Sequence, residues 1–358
     1  MNKTYKCIDS FCGAGGLCLG LIKAGFDVLY SFDIDGKSIE TINANPKYFK
    51  NHKAEARDIY DIEPAELLKS LGLNPGELDL LAGGPPCQGF SVQRIGLDID
   101  ERNHLVEEYI RKVMAIRPKM FVLENVPGIE GKRGKNILHS ALSKVESSGY
   151  FIHEKILDAQ DYGVPQRRRR VVIIGERKDH DYPIFEYPEP KDCKITVREA
   201  IAHLPEPPED GSEHPSVSLH RRDRLSAKNI ARLQALKPGQ GRDFLPPELL
   251  ADCHKVSSNV IGHRNVYGRM PWDDVSPTIT AHFDSFTRGM FGHPEQNRSI
   301  SLREGAMLQT FPEDFVFVGN KVEVARQIGN AVPIAMAMAV GLQIKKVLTN
   351  GTTEQHTC

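Results

Sequence analysis

Short apolar runs alternate with amphipathic stretches through the first half of this 358-residue chain. The apolar runs predict strands, namely Tyr5–Ser10, Val28–Phe32, Leu78–Ala82, Met120–Leu123, Phe151–Leu157 and Val171–Ile174. The stretches between them predict helices, namely one ending at Ala24, one from an N-cap at Ser38 to Asn45, and those over Leu105–Ile116 and Asn136–Ser148. Strands that alternate with helices are typical of an α/β fold with a parallel sheet.

The pattern changes near Tyr182, where prolines and charged residues become crowded and continue to Pro247. One short helix is predicted there, over Ser226–Leu236, and it ends before a Pro-Gly pair. This composition predicts a second, smaller and irregular domain. An apolar helix over Ile334–Leu348 is expected to pack back on the first domain. The predicted segments are 1–181, 182–318 and 319–358.

Composition adds little: 40% of the residues are hydrophobic and 26% are charged, as in ordinary globular proteins. We expect no signal peptide and no apolar stretch long enough to span a bilayer. The seven cysteines show no CxxC pair and no metal-ligand spacing. A reduced, cytoplasmic protein without structural zinc is therefore predicted.

Charge is more informative because it is uneven, although the formal net charge is only −1. Between His220 and Arg242 one acidic residue stands against seven basic ones, which are Arg221, Arg222, Arg224, Lys228, Arg232, Lys237 and Arg242. A second basic run covers 167–170. A charge run is most often only a solvated face. Two such patches on one chain nevertheless favour a phosphate-rich partner.

The strongest candidate for chemistry is Cys87, in Gly83-Gly84-Pro85-Pro86-Cys87-Gln88-Gly89-Phe90-Ser91, just after a predicted strand. Two prolines impose a rigid, extended turn, because proline fixes φ and lacks an N–H. Such a turn holds a thiol in one place, and a thiolate is a strong nucleophile. The alternative is a buried, inert cysteine beside a structural turn.

Two further groups fall where ligands bind in open α/β sheets. The glycine-rich turn at 13–16 lies between the first strand and the first helix, and Asp33 ends the second strand about 20 residues later. Together they favour an adenosine-bearing cofactor, whose ribose the acid would bind, over a plain tight turn, although the spacing is not GxGxxG.

Glu124 begins Glu124-Asn125-Val126 at the end of another predicted strand, and Arg168 and Arg170 lie on one face of a strand-like stretch. The arginines could pair with Glu124 or hold an anion. The alternatives are a capping carboxylate and a solvated basic edge.

The order DSFCGAGG, GGPPCQGFS, ENV, QRRRR, SLREGAMLQTFP and QIGNAVP, from Asp9 to Pro333, resembles the DNA (cytosine-5)-methyltransferase family. The resemblance is to the compact bacterial members, whether restriction-linked or orphan. It implies an S-adenosylmethionine-dependent, Rossmann-like α/β sheet with a smaller, irregular target recognition domain. The variable stretch from Arg177 to about Arg298 falls where the family keeps that domain.

The resemblance also implies roles for residues. Cys87 would add to cytosine C6, Glu124 would bind or protonate N3, and Arg170 would hold O2 and orient Glu124, with Arg168 nearby. The methyl donor would be S-adenosyl-L-methionine, in a pocket formed by Phe11, Gly13, Gly15, Gly16, Asp33, Ile34, Asp58, Ile59, Pro85 and Asn330. Ile34 stands where some members place an aromatic residue under the adenine.

Double-stranded DNA is the partner that the resemblance implies, with the target base flipped out of the duplex. Contacts are expected from Gln88, Ser91, Gln93, Arg221, Arg222 and Arg224. We expect a monomer. A cognate restriction endonuclease is a possible partner, which would act on the same DNA sequence without binding the enzyme. Three alternatives stay open: an RNA cytosine methyltransferase, a catalytically silent DNA-binding homologue, and a NAD-dependent enzyme with a cysteine nucleophile.

Overall fold

A computed structural model of the chain describes residues 4–86, 104–131, 135–179, 184–252 and 266–353. Seven strands of the described residues form one sheet, and they are β1 (Tyr5–Ser10), β2 (Phe26–Asp33), β3 (Lys53–Ala56), β4 (Leu80–Gly83), β5 (Met120–Asn125), β6 (Tyr150–Asp158) and β7 (Arg169–Arg177). Their order across the sheet is β3-β2-β1-β4-β5-β7-β6. The apolar runs therefore did predict strands, and the fold is α/β as expected.

The sheet is mixed, which corrects the prediction of a parallel one. Strands β1 to β5 run parallel, whereas β7 runs antiparallel to both of its neighbours, β5 and β6. The cause is the connection between β6 and β7, which covers only residues 159–168. A parallel crossover needs a dozen residues or more, so this shorter link returns the chain in the opposite direction.

The helices are α1 (Gly16–Ala24), α2 (Gly36–Asn43), α3 (Pro64–Ser70), α4 (His104–Ile116), α5 (Lys135–Ser147), α6 (Val197–Ile201), α7 (Ala227–Gln234), α8 (Leu302–Leu308), α9 (Lys321–Asn330) and α10 (Ile334–Thr353). Short 3-10 turns cover Ile59–Asp61, Pro127–Glu130, Ala159–Tyr162, Arg242–Phe244, Pro247–Leu249 and Phe286–Arg288. The predicted N-cap at Ser38 is wrong. The N-cap of α2 is Asp35, three residues earlier, and Ser38 lies inside the helix, where its hydroxyl donates to the Asp35 carboxylate (2.9 Å).

The described residues form two compact units. The first takes in the described parts of 1–158, 169–190 and 334–358, and the second those of 159–168 and 191–333. Residues 159–168 and 319–333 thus belong to the second unit, although they lie outside the second predicted segment, 182–318. That unit contains isolated bridges and short helices among its described residues, which matches the irregular composition.

The first unit is built around the central strands. Strands β1, β4 and β5 are almost wholly buried, as expected for parallel strands covered on both faces. Helix α10 packs on α1 through glycine: a Cβ added at Gly20 would lie 2.4 Å from Ala337 Cβ and 2.8 Å from Ile334 O. This last helix belongs to the first unit.

The helical stretch 321–350 has the length and hydropathy of a membrane span, whereas the sequence led us to expect none. Over half of its most apolar window is buried inside the protein. Ile334, Met336, Ala337 and Ile344 of α10 are all buried. The apolar composition of α10 is therefore explained by its burial in the core of the protein.

Candidate active site

Strands β1, β2, β4 and β5 are parallel, so their carboxyl ends lie along one edge of the sheet. The residues at those ends are Ser10, Asp33, Gly83 and Asn125. Ligands bind outside this edge in open α/β sheets. The polar side chains that the sequence singled out at strand ends are therefore brought to one side of the first unit.

Glu124 and Arg170 meet at this edge. Arg170 Nε lies 2.9 Å from Glu124 Oε1, and both side chains are 13% exposed. Arg170 is the second residue of β7, and the antiparallel direction of that strand brings its start beside the end of β5. A partly buried ion pair of this kind favours one orientation of the carboxylate.

The turn after β4 is held against the same segment. Asn125 Nδ2 donates to Pro85 O (2.9 Å), and a Cβ added at Gly84 would lie 3.2 Å from Glu124 Oε2. At Gly83 a Cβ would lie 2.4 Å from Ser10 Oγ, so a side chain there would collide with β1. The backbone that leads into Pro86 therefore lies beside Glu124. Cys87, which comes next, falls outside the described residues, as do Gln88, Ser91 and Gln93.

The glycine-rich turn makes a second part of the edge. Phe11 and Gly13 adopt left-handed backbone conformations, with φ of 56° and 50°, and Gly15 follows with φ of 86° as the N-cap of α1. A Cβ at Gly13 would meet no atom within 4 Å, so this face of the turn is open. The free N–H groups and the dipole at the start of α1, at Gly16, favour a polar or anionic group there.

Asp33 bridges the turn and the end of β2. Its Oδ2 accepts from Gly13 N (2.9 Å) and its Oδ1 from Asp35 N (2.8 Å). Burial raises the pKa of this carboxyl, and the two backbone donors oppose that rise. A carboxylate oxygen can accept more than one hydrogen bond. Both oxygens of Asp33 can therefore still accept a hydrogen bond from a hydroxyl group of a ligand. The neighbouring Ile34 is 73% exposed and offers an apolar surface beside the acid.

The other predicted pocket residues lie in different settings. Asp58 caps the 3-10 turn 59–61, where its Oδ1 accepts from Tyr60 N (3.1 Å). The side chain of Ile59 is buried in the core of the first unit, which leaves only its backbone for a ligand. Asn330 ends α9 in the second unit with an exposed side chain.

A sequence profile of the C-5 cytosine-specific DNA methylase family matches residues 5–346. The chain belongs to this family. The Type II methylase M.HgiDII of Herpetosiphon aurantiacus is 35% identical over 347 residues, which cover 95% of each protein. The Type II methyltransferase M1.HphI of Haemophilus parahaemolyticus is 36% identical, over 98% of this chain and 88% of that relative.

Solved structures agree with this assignment. A prophage-encoded protein of E. coli, described as a DNA modification methyltransferase, matches with a TM-score of 0.71 and 28% identity, over 97% of this chain and 100% of that one. The Entamoeba histolytica methyltransferase EhMeth shares the fold, with a TM-score of 0.65 and 17% identity, over 97% of this chain and 99% of that one. The expected family, enzyme class and methyltransferase fold are thus confirmed.

In this C-5 methylase Arg168 is engaged elsewhere than at the Glu124 pair. Its side chain is 2% exposed, and its guanidinium donates to the carbonyls of Ile279, Gly329 and Ala331 at 3.0, 3.1 and 3.0 Å. Strand β7 begins only at Arg169, so the expected alternation that placed Arg168 and Arg170 on one face does not apply. The two arginines have different partners.

The basic patch of the methylase is also smaller than its sequence indicates. Arg222 donates to Pro207 O (3.0 Å) and pairs with Glu206. Arg232 donates to Leu249 O (2.7 Å) and Arg242 is buried, so three of the seven basic residues serve the second unit's own structure. Arg221 and Arg224 are exposed. Charge counted along a sequence cannot separate these two groups.

Two residues of the methylase site were given no role by sequence reasoning. Asn125 was quoted only within its motif, and its bond to Pro85 O depends on a contact between strands. Asp9 is fully buried in β1. Neither carboxylate oxygen makes a hydrogen bond of good geometry among the described residues, although the backbone N–H of Cys18 lies close enough to favour the charged form. Burial, and then the charge of Asp33, raises the pKa of Asp9 well above its ordinary value.

Proposed function

We propose that this C-5 methylase transfers the methyl group of S-adenosyl-L-methionine to a cytosine in a specific duplex DNA sequence, through a covalent bond between Cys87 and C6. The observation that supports this most is the Glu124–Arg170 pair beside the turn that leads to Cys87. Cytosine C5 is a poor nucleophile. Covalent addition at C6 overcomes this, because it converts the ring into an enamine.

In the proposed reaction the Cys87 thiolate forms a bond to C6, and the displaced electron density moves toward N3 and O2. Glu124 binds and protonates N3, and Arg170 donates to O2 while it holds the Glu124 carboxylate in place. C5 then carries the electron pair that accepts the methyl group. The methyl transfer leaves the donor as S-adenosylhomocysteine. Loss of the C5 proton, cleavage of the Cys87–C6 bond and return of the N3 proton to Glu124 then restore the aromatic ring, the thiolate and the carboxylic acid.

The edge of the first unit suits the cofactor. S-adenosyl-L-methionine, when bound, supplies an electrophilic methyl group on a sulfonium. Asp33 retains acceptor capacity for the ribose hydroxyls, the open face at Gly13 lets a ligand approach the backbone, and Ile34 presents an apolar surface to the adenine. Phe11, Gly15, Gly16, Asp58 and Pro85 are proposed for the same pocket on the strength of the family resemblance, which also proposes Asn330 as a cofactor-binding residue.

The DNA is proposed to be read by the segment 182–318. The target base must leave the helix, because an enzyme cannot reach C6 of a stacked cytosine. The named relatives are Type II enzymes, which favours a restriction-modification role with a cognate endonuclease that acts on the same site. A monomer working in the cytoplasm fits this role.

The test uses covalent trapping. Sequencing plasmid DNA from expressing cells for 5-methylcytosine gives the target, and a duplex with 5-fluorocytosine at that position then traps the enzyme, because fluorine cannot leave as a proton does. We expect a denaturant-resistant complex with the wild-type chain and with Cys193→Ser, an exposed cysteine used as a control. Cys87→Ser should form none, because a hydroxyl is far less ionised than a thiol.

A trapped complex with Cys87→Ser would contradict the assignment of the nucleophile. Methyl transfer to transfer RNA in parallel reactions, without transfer to duplex DNA, would contradict the proposed substrate.

A further inference from the structure

The segment 220–224 of the second unit, which we call the basic strip, contains three arginines. It has no regular secondary structure, yet its side chains divide into two sets. Those of Arg221 and Arg224 are exposed. The other three are tied to groups of the same unit, and they are His220, Arg222 and Asp223. The strip therefore presents two cations on a backbone that is held by the side chains between them.

The first anchor is His220, which is fully buried. Its Nε2 donates to Pro205 O (2.7 Å), because a carbonyl oxygen can only accept. Its Nδ1 then accepts from the Ser301 hydroxyl (2.8 Å), and burial, which lowers the pKa of the imidazole, favours this neutral form. Leu219, just before it, has a φ of 62°, and its N–H donates to Glu213 Oε1 (2.9 Å). Such a left-handed backbone is uncommon in residues other than glycine, so the start of the strip is held in its conformation by its surroundings.

The second anchor is an ion pair near the far end of the strip. Lys321 Nζ lies 2.8 Å from Asp223 Oδ2 and 3.3 Å from Asp284 Oδ2, and all three side chains are less than a third exposed. Salt screens partly buried pairs less than pairs on the open surface. Lys321 is the first residue of α9, where a positive charge interacts unfavourably with the helix dipole. Its two carboxylate partners offset that cost and account for a lysine at this position.

The charge of Asp223 stands out because it is the one acidic residue of the stretch 220–242, and it directly precedes Arg224. A free carboxylate there would repel a polyanion. Paired with Lys321, it instead fixes the backbone between the two exposed arginines. A segment that is already ordered loses less conformational freedom when it binds, and this improves affinity.

We propose that Asp223 and Lys321 are positioning residues, whose ion pair holds the basic strip so that Arg221 and Arg224 face the phosphates of duplex DNA. The inference rests on the proposed binding of duplex DNA by the segment 182–318. Phosphate contacts position a duplex without specifying its sequence. An acidic residue thereby favours the binding of a polyanion, whereas its charge alone would oppose it.

Two substitutions with the same change of charge and different expected results form the test. Asp223→Asn and Asp284→Asn each remove one negative charge beside Lys321, so the long-range attraction of the chain for DNA rises equally in both. Only Asp223→Asn also releases the strip. We expect its Kd for a duplex without the target sequence to rise about fivefold, the effect of freeing one or two ordered side chains. Asp284→Asn should bind this duplex as tightly as the wild-type chain or more tightly. Fluorescence anisotropy at one fixed salt concentration measures both.

Further measurements separate positioning from a general effect on the fold. Kd for S-adenosyl-L-methionine, measured by calorimetry, should keep its wild-type value in Asp223→Asn. In a chain that carries Arg221→Ala and Arg224→Ala, Asp223→Asn should not weaken DNA binding further, because it acts through these arginines. Lys321→Met should reproduce the loss seen with Asp223→Asn, whereas Lys321→Arg keeps the ion pair and should keep the wild-type Kd for DNA. These two lysine variants replace Asp223→Asn if it does not fold.

The outcomes separate this inference from the proposed function. Normal affinity for duplex DNA in the chain with Arg221→Ala and Arg224→Ala would refute phosphate binding by the strip. If that chain binds weakly while Asp223→Asn binds as tightly as the wild-type chain, or is weakened no more than Asp284→Asn, the positioning role alone is refuted. Fully additive losses from Asp223→Asn and the two arginine substitutions would refute it as well.

Discussion

At the scale of single residues, the site depends on contacts made by one carboxylate. Glu124 forms an ion pair with Arg170 on one side. On the other side its Oε2 would lie 3.2 Å from a Cβ added at Gly84, so a side chain there would force the carboxylate to shift. The sequence offered the pairing of Glu124 with Arg170 as one alternative, because both residues lie next to predicted strand ends. The partners of Arg168 were not predictable, because they are carbonyls up to 163 positions away in the chain.

Glu124→Gln tests this carboxylate. The amide keeps the shape and can still accept from Arg170, but it cannot donate the proton that N3 needs. We expect turnover to fall by about 10²–10⁴, the usual range for a positioned acid or base. Rates are measured as tritium transfer from labelled S-adenosyl-L-methionine to duplex DNA. Cofactor affinity, measured by calorimetry, should not change, and near-normal turnover would remove Glu124 from the mechanism.

At the scale of elements, periodicity predicted the major strands and helices of the first unit, because their apolar faces are buried regularly. Strand β3 escaped, since Lys-Ala-Glu-Ala has no apolar alternation. The antiparallel direction of β7 was not predicted either. The direction of a strand depends on the length of the connection before it, and the residues of the strand itself do not indicate it. Helix α10 was predicted to pack on the first unit, but its close contact with α1 through Gly20 was not.

Gly20→Ala tests that helix contact. The new Cβ would lie 2.4 Å from Ala337 Cβ and against the α10 backbone, so the helices must separate. We expect the free energy of unfolding to fall by about 1–3 kcal/mol, as for other overpacked cores, in spite of alanine's better helix propensity. Gly36→Ala is the control, because its Cβ would meet nothing closer than 4.0 Å. Urea unfolding measures both, and equal stability of the two variants would contradict the packing argument.

At the scale of the whole molecule, a formal net charge of −1 gives no general attraction to a polyanion. Binding to DNA must then come from local groups of cations. The sequence located one such group but overestimated its size, since Arg222, Arg232 and Arg242 serve internal contacts. The exposed members Arg221, Arg224, Lys228 and Lys237 are left for phosphates, and substitution of the two arginines tests this.

Replacing Arg221 and Arg224 together by alanine should weaken binding to every duplex alike. The slope of log K against log salt should become shallower by about 1.8, because each lost phosphate contact contributes about 0.9. Arg222→Ala is the control and should leave the slope unchanged, since its guanidinium is tied to Glu206 and Pro207. Fluorescence anisotropy at several salt concentrations gives the slopes. A larger change for Arg222→Ala would reverse this assignment.

The interleaving of the two units also sets an order for biosynthesis. The ribosome makes residues 191–333 after most of the first unit but before α10, which covers α1. The apolar face of α1 therefore remains uncovered while the whole second unit emerges. Nascent chains that stall within that stretch expose this face to chaperones and aggregation. The first unit can complete its core only after α10 has left the ribosomal exit tunnel and packed on α1.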